Sequence, residues 1–168
     1  KLSITDLVFV LGPRINAAGR IEHGQQAVEL LLAKEENEAE NIARRIDGNN
    51  SARQDLDKAI TEEALELFET DPFLRDAWST VVFNTNWHKG VVGIVASRLI
   101  EHHYRPTIVL TESNGMVGGS ARSVKVVNVH DAIGACSDLL EQVCGHMYAA
   151  GLSMKAENVE AFRERFEQ

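Results

Sequence analysis

Cysteine is scarce in this chain. Only Cys136 and Cys144 occur in 168 residues, eight apart and with no second pair, which excludes a disulfide framework and a zinc ligand pattern and fits a reducing compartment. No apolar run approaches the roughly eighteen residues of a membrane span, and nothing at the start resembles a signal peptide. Repeats and low-complexity segments are also missing. The chain begins with Lys1 rather than Met, so a cytoplasmic piece excised from a larger protein, without a membrane partner, is expected. With 44% hydrophobic residues, what is present suffices for one full α/β core, or for one domain with part of another.

Positive charge is in short supply, with 17 Lys and Arg against 25 Asp and Glu and a net charge of −8. A deficit of this size argues against a nucleic-acid partner, since phosphate binding normally leaves a basic footprint. Its distribution weakens that objection. Residues 35–76 hold thirteen acids against five bases, whereas residues 1–34 carry four bases against three acids and residues 77–156 six against five. The acidity belongs to one segment, and a weakly basic cleft can exist elsewhere, with poor long-range steering toward DNA.

Taken in order, residues 2–11 read as an apolar strand or short helix entering Gly12-Pro13-Arg14-Ile15-Asn16-Ala17-Ala18-Gly19-Arg20. Turn residues at both ends of that stretch predict an irregular loop displaying Arg14 and Arg20. Gln25 to Lys34 predicts a well-buried helix with a broad apolar stripe. A helical pattern from Glu35 meets Gly48-Asn49-Asn50, either a break or a weak point, and resumes from Ser51 to a stop at Asp71-Pro72. This long acidic helix suits a connector between two lobes.

From Trp78 the texture changes. Residues 79–83 predict a buried strand, 91–104 a helix ended by Arg105-Pro106, 107–111 a second strand, and 116–118 a third after a turn at 112–115. A helix from an Asn128 N-cap to Gln142, a turn at Cys144-Gly145-His146, a strand over 148–154 and a terminal helix over 156–166 complete a mixed-sheet α/β fold.

Chemistry concentrates at three glycine-bearing segments. Gly118-Gly119-Ser120-Ala121-Arg122-Ser123 reads as a turn whose small residues leave backbone N–H groups open, with two hydroxyls and a guanidinium fork suited to phosphate. His88-Lys89-Gly90 and Gly145-His146 are the others, and helix N-termini at sheet ends favour anions. A phosphate-bearing ligand is the reading they share. The alternative is a plain Gly-Gly turn with a surface arginine and capping histidines. His23, His102, His103 and His130 lack metal-ligand spacing, and no Walker loop, nucleophile elbow or zinc-protease helix occurs.

Four strings, Gly12 to Arg20, NWHKGVVGIVASRL at 86–99, GGSARS at 118–123 and CGHMYAAGLSM at 144–154, together resemble the RecJ-type single-strand-specific DNA exonucleases of the DHH phosphoesterase superfamily. The resemblance covers essentially the whole chain. It implies that residues 1–47 end a catalytic DHH lobe, 48–76 form the inter-lobe helix, and 77–168 are the DHH-associated substrate-binding domain. It further implies that Ser120 and Arg122, with Gly119, hold a DNA 5′ phosphate and that Arg20, with Arg14 and Asn16 in its motif, faces backbone phosphate. By the same resemblance, Gly145 and His146 lie beside the scissile site, with His88 facing the same cleft.

The resemblance implies 5′-to-3′ degradation of single-stranded DNA by two divalent ions, Mn²⁺ or Mg²⁺, in a lobe whose Asp-His-His signature this chain lacks, so that no metal and no activity are expected here. DNA-repair proteins are the implied partners. Cys144 stands where the family turn usually has a glycine, and its Cβ is expected to restrict a left-handed backbone there. Two other functions fit the sequence: a phosphodiesterase for short oligonucleotides or cyclic dinucleotides, and an interaction module whose acidic helix binds a basic partner.

Overall fold

The computed structural model describes residues 3–168. By internal contacts the chain divides into two compact units, one ending at Leu56 and the other running from Asp57 to Gln168.

In the first unit, α1 (Ile4–Asp6) is closed by a reciprocal capping box between Ser3 and Asp6, and a π-helical turn over Leu7–Leu11 leads into α2 (Gly12–Ile21). The expected loop carrying Arg14 and Arg20 is therefore a helix. Pro13 is accommodated because it falls in the first turn of α2, where a missing N–H costs least. Next come α3 (Gln25–Leu32) and α4 (Glu36–Thr70), the latter unbroken through Gly48-Asn49-Asn50. Tertiary contacts override weak propensity at that point, since Asn49 donates to Glu22 and Gln26, and within the helix the buried Asn50 accepts from Arg53. A small core joins Ala18, Ile42 and Ile46, with Leu30 packed against it. The α3 stripe is not well buried as expected: Val28, Leu31 and Leu32 are exposed and only Ala27 is enclosed, because the unit supplies few elements to cover that face.

The second unit is built on a five-stranded sheet in the order β1-β2-β3-β5-β4. β1 (Thr80–Phe83) pairs parallel with β2 (Thr107–Ser113) through the crossover helix α6 (Val92–His102). β3 (Met116–Arg122) runs antiparallel to β2 after a tight turn at Asn114-Gly115, where both residues have positive φ (55° and 75°). β5 (Ala149–Met154) pairs with β3, and β4 (Gln142–His146) forms the far edge.

Alternation assigns the two faces. Val81, Ile108, Leu110, Val117, Ala121, Leu152 and Met154 pack on Val129 and Ile133 of α7 (Val129–Gly134) and on Val159 and Phe162 of α8 (Val159–Phe166). The other face of β2 and β3 lies under α6, whose Val92, Val95, Ala96 and Leu99 recur at helical spacing and are buried.

Three expectations fail here. Gly118 to Arg122 is not a turn but most of a central strand, paired on both sides, so its backbone amides serve the sheet rather than a ligand. The helix capped by Asn128 ends at Gly134, and a 3₁₀ turn over Ser137–Leu139 leads into β4, because Gly134-Ala135 closes the helix and the chain then finds the open edge of β5. Cys144-Gly145-His146 is strand, and the turn is Met147-Tyr148.

Asp71 fastens this unit at both ends of its sequence. It caps α5 (Pro72–Asp76) by accepting from the Phe73 N–H at 2.9 Å and pairs with Arg163 of α8. Burial pushes its carboxyl up, but the Arg163 and Phe73 hydrogen bonds outweigh this and hold it below the ordinary 3.8. The stabilisation is complete above that ordinary value and is lost as pH falls through the depressed one. Asp71→Asn, which keeps the cap and loses the ion pair, is expected to cost about 1 kcal/mol at neutral pH in urea unfolding, with the deficit closing as the pH falls through the depressed Asp71 value. A deficit that does not change with pH would contradict it.

Candidate functional site

Ser120 and Arg122 lie two residues apart on β3 and project from the same sheet face. The guanidinium turns back along the strand, donating to Ser120 Oγ at 2.7 Å and to the Ala121 carbonyl at 2.8 Å. Both side chains press against the first turn of α6. A Cβ on Gly93 would stand 2.9 Å from Arg122 Nη2 and 3.0 Å from Ser120 Oγ, so the helix approaches this closely only because residue 93 is glycine. The result is a half-buried guanidinium, a hydroxyl and a helix N-terminus on one spot, the combination that favours a phosphate oxygen. Gly119 faces the other way. Its absent side chain would meet Leu110 Cδ2 at 2.4 Å and the Val109 carbonyl at 2.8 Å, so this glycine serves strand packing. Ser123 also turns inward, donating its hydroxyl to the Val127 carbonyl at 2.7 Å.

The register brings a second group alongside. Arg122 is opposite Ala149, which is opposite His146, so Arg122 and His146 share one cross-strand row and one face. Gly145 makes that edge buildable. Its φ is 142°, and a Cβ would fall 2.4 Å from the Ala149 carbonyl oxygen and 2.5 Å from Ala150 Cα. Cys144 has no positive φ, so the anticipated conflict at that residue does not arise, since the left-handed geometry belongs to its neighbour. The Cys144 sulfur rests over Gly151, 3.4 Å from where a Cβ would be.

His88 belongs to the loop between β1 and α6, shortly before Gly93. Its Nδ1 accepts from the Gly90 N–H at 3.1 Å, as His146 Nδ1 accepts from the Tyr148 N–H at 3.3 Å. With Nδ1 accepting, Nε2 is the ring nitrogen that each histidine has to offer as a donor. Arg14, Asn16 and Arg20 belong to α2 in the first unit. There Arg14 pairs with Asp47 at 2.8 Å and donates to the Val10 carbonyl, while Asn16 and Arg20 are exposed.

Sequence reasoning overlooked Gly93 and Tyr148. The signal for Gly93 was a glycine inside the helical run Val91-Val92-Gly93-Ile94-Val95, where low propensity asks for a packing reason. Tyr148 gave no comparable signal. Among the described residues, no group of three or more His, Cys, Asp or Glu could hold a metal ion, so the residues present do not fit a divalent-cation centre.

Residues 77–168 match the family model described as the DHHA1 domain. The chain is 43% identical over 162 residues to the single-stranded-DNA-specific exonuclease RecJ of Bacillus subtilis, covering 95% of this chain and 20% of that protein. With the Escherichia coli RecJ it shares 36% identity over 173 residues, 99% of this chain and 30% of the relative. The crystal structure of RecJ from Thermus thermophilus in complex with Mn²⁺ matches with a TM-score of 0.86 at 33% identity, over 97% of this chain and 24% of that one. A structure of exonuclease RecJ bound to manganese matches at 0.84 and 32%, over 98% and 40%. The chain thus spans only 20% to 30% of the length of these curated relatives. A family model covering more than half of the chain, with RecJ relatives matched along nearly all of it, makes this chain a member of the DHHA1 family and a RecJ homologue.

Proposed function

We propose that this chain is the substrate-binding part of a RecJ-like 5′-to-3′ exonuclease acting on single-stranded DNA. Residues 77–168 form its binding domain, 48–76 the connecting helix, and 1–47 the end of the catalytic lobe. The observation that carries this reading is the Ser120–Arg122 pair held against the first turn of α6. A DNA phosphate at that spot receives the guanidinium fork, the Ser120 O–H and the positive end of the helix, with His146 farther along the same cross-strand row. The exposed apolar side chains of the first unit, Val8, Phe9, Leu31 and Leu32 among them, suit a segment of a larger lobe. Phosphodiester hydrolysis with Mn²⁺ or Mg²⁺ is assigned to the rest of the enzyme rather than to these residues.

Binding of a fluorescent, 5′-phosphorylated single-stranded oligonucleotide at low salt, read by anisotropy, tests the site. Arg122→Ala is expected to weaken it about tenfold, the value of one charge-assisted hydrogen-bonding group. Gly93→Ala, which forces the pair off the helix, should weaken binding in the same direction with the fold intact by circular dichroism. Wild-type affinity in Arg122→Ala would remove that residue from the site. Incubation of the chain with the same DNA and Mn²⁺ should leave it undegraded, and robust metal-dependent degradation would overturn the division of labour.

A further inference from the structure

We infer that Tyr148 and His146 form a corner that stacks a nucleobase beside the Ser120–Arg122 pair. The inference rests on the DNA-binding reading and adds to it a base subsite. The two rings meet edge to face, with centroids 6.5 Å apart and planes at 72°, and both residues are exposed, Tyr148 by 49%. In such a pair one ring shows its edge to the other, leaving π surface open to a third ring.

The turn that carries the rings is fixed rather than loose. The Tyr148 carbonyl accepts from the Ser123 N–H at 3.0 Å, the residue directly after Arg122, and the Met147 carbonyl accepts from the Val129 N–H at 3.0 Å. The Tyr148 N–H donates to His146 Nδ1, which fixes the neighbouring ring and points the chemistry of its Nε2 toward donation. His146 is two strands from Arg122 in the same row, a span of about 10 Å. A nucleotide whose phosphate rests on Arg122 has its base one sugar away, within that span. Every base has a π face, so this platform accepts any of the four, as suits an exonuclease that must pass each nucleotide in turn. Ordering the rings before the ligand arrives lowers the entropic cost of the contact.

The test compares two 5′-phosphorylated single-stranded oligonucleotides by anisotropy with the whole chain, one intact and one with abasic residues at its 5′ end. Tyr148→Ala should bind the intact strand about tenfold more weakly than wild type and the abasic strand nearly as wild type does, because there is no base left to stack. Tyr148→Phe, which keeps the ring and all backbone bonds, should match wild type on both. An equal penalty for Tyr148→Ala on both strands, or none on the intact one, would overturn the base subsite while leaving the phosphate site standing. If Arg122→Ala binds the intact strand as well as wild type does, the underlying DNA-binding reading fails, and the subsite with it.

Discussion

Arg98→Ala is expected to cost about 3 kcal/mol of stability, because it takes a two-pronged, charge-assisted pair of hydrogen bonds away from a fully buried carboxylate. Asp57 of α4 is 0% exposed and accepts from Arg98 Nε at 2.7 Å and from Nη2 at 2.8 Å. The Asp57 hydrogen bonds, opposed by burial, raise the Arg98 pKa above its already high ordinary value, so the guanidinium stays charged at any pH at which the protein folds. Its side chain remains 48% exposed, which places the expected loss at the lower end of the range for broken buried pairs. Lysine at 98 keeps the charge but not the fork, so an intermediate loss is expected. Trp87 reports the transition well, being buried and donating its indole N–H to Glu63 at 2.8 Å within the same unit. A loss below about 1 kcal/mol in urea unfolding followed by its fluorescence would contradict this account of Asp57.

Gly145→Ala is the second large effect. A methyl group there is opposed twice, by a φ of 142° that side chains rarely adopt and by backbone atoms of β5 within 2.5 Å. Backbone cannot yield as a side-chain end can, so β4 must part from β5 at their shared turn. The strain alone costs about 1–3 kcal/mol, and the collision adds to it. His146 and Tyr148 lie just beyond this residue, so DNA binding should fall together with the thermal midpoint. The substitution contrasts with Gly93→Ala, where the obstacles are side-chain tips and binding should fall with little change in stability. Wild-type stability in Gly145→Ala would show that the edge strand does not depend on this conformation.

Much of the second unit was legible because pattern and tertiary role agree there. Thr80 to Phe83 is β-branched and apolar and α6 carries a helical stripe, so the β1-α6-β2 unit could be read without coordinates, although α6 stops at His102, before Arg105-Pro106. The errors share a cause. Gly118-Gly119 reads as a turn by composition, yet Gly119 is needed where β2 packs tightly against β3, a relation between residues far apart in sequence. β4 has little strand character of its own and exists because β5 offers an edge. In α4, Gly48-Asn49-Asn50 looks like a break until Asn49 and Asn50 find partners. For the candidate site, the setting was not legible: Ser120 and Arg122 project from a strand whose amides are paired, rather than from a turn with open amides.

The central claim is that Arg122 meets a phosphate of single-stranded DNA. Its most direct test is the salt dependence of binding, since each phosphate contact on a single strand releases condensed counterion and contributes about 0.7 to the slope of log K against log salt. With a 5′-phosphorylated strand, wild type should show the steeper line and Arg122→Ala a slope smaller by about 0.7, the two converging as salt rises. Parallel lines would contradict the account, because Arg122 would then make no contact with the DNA backbone.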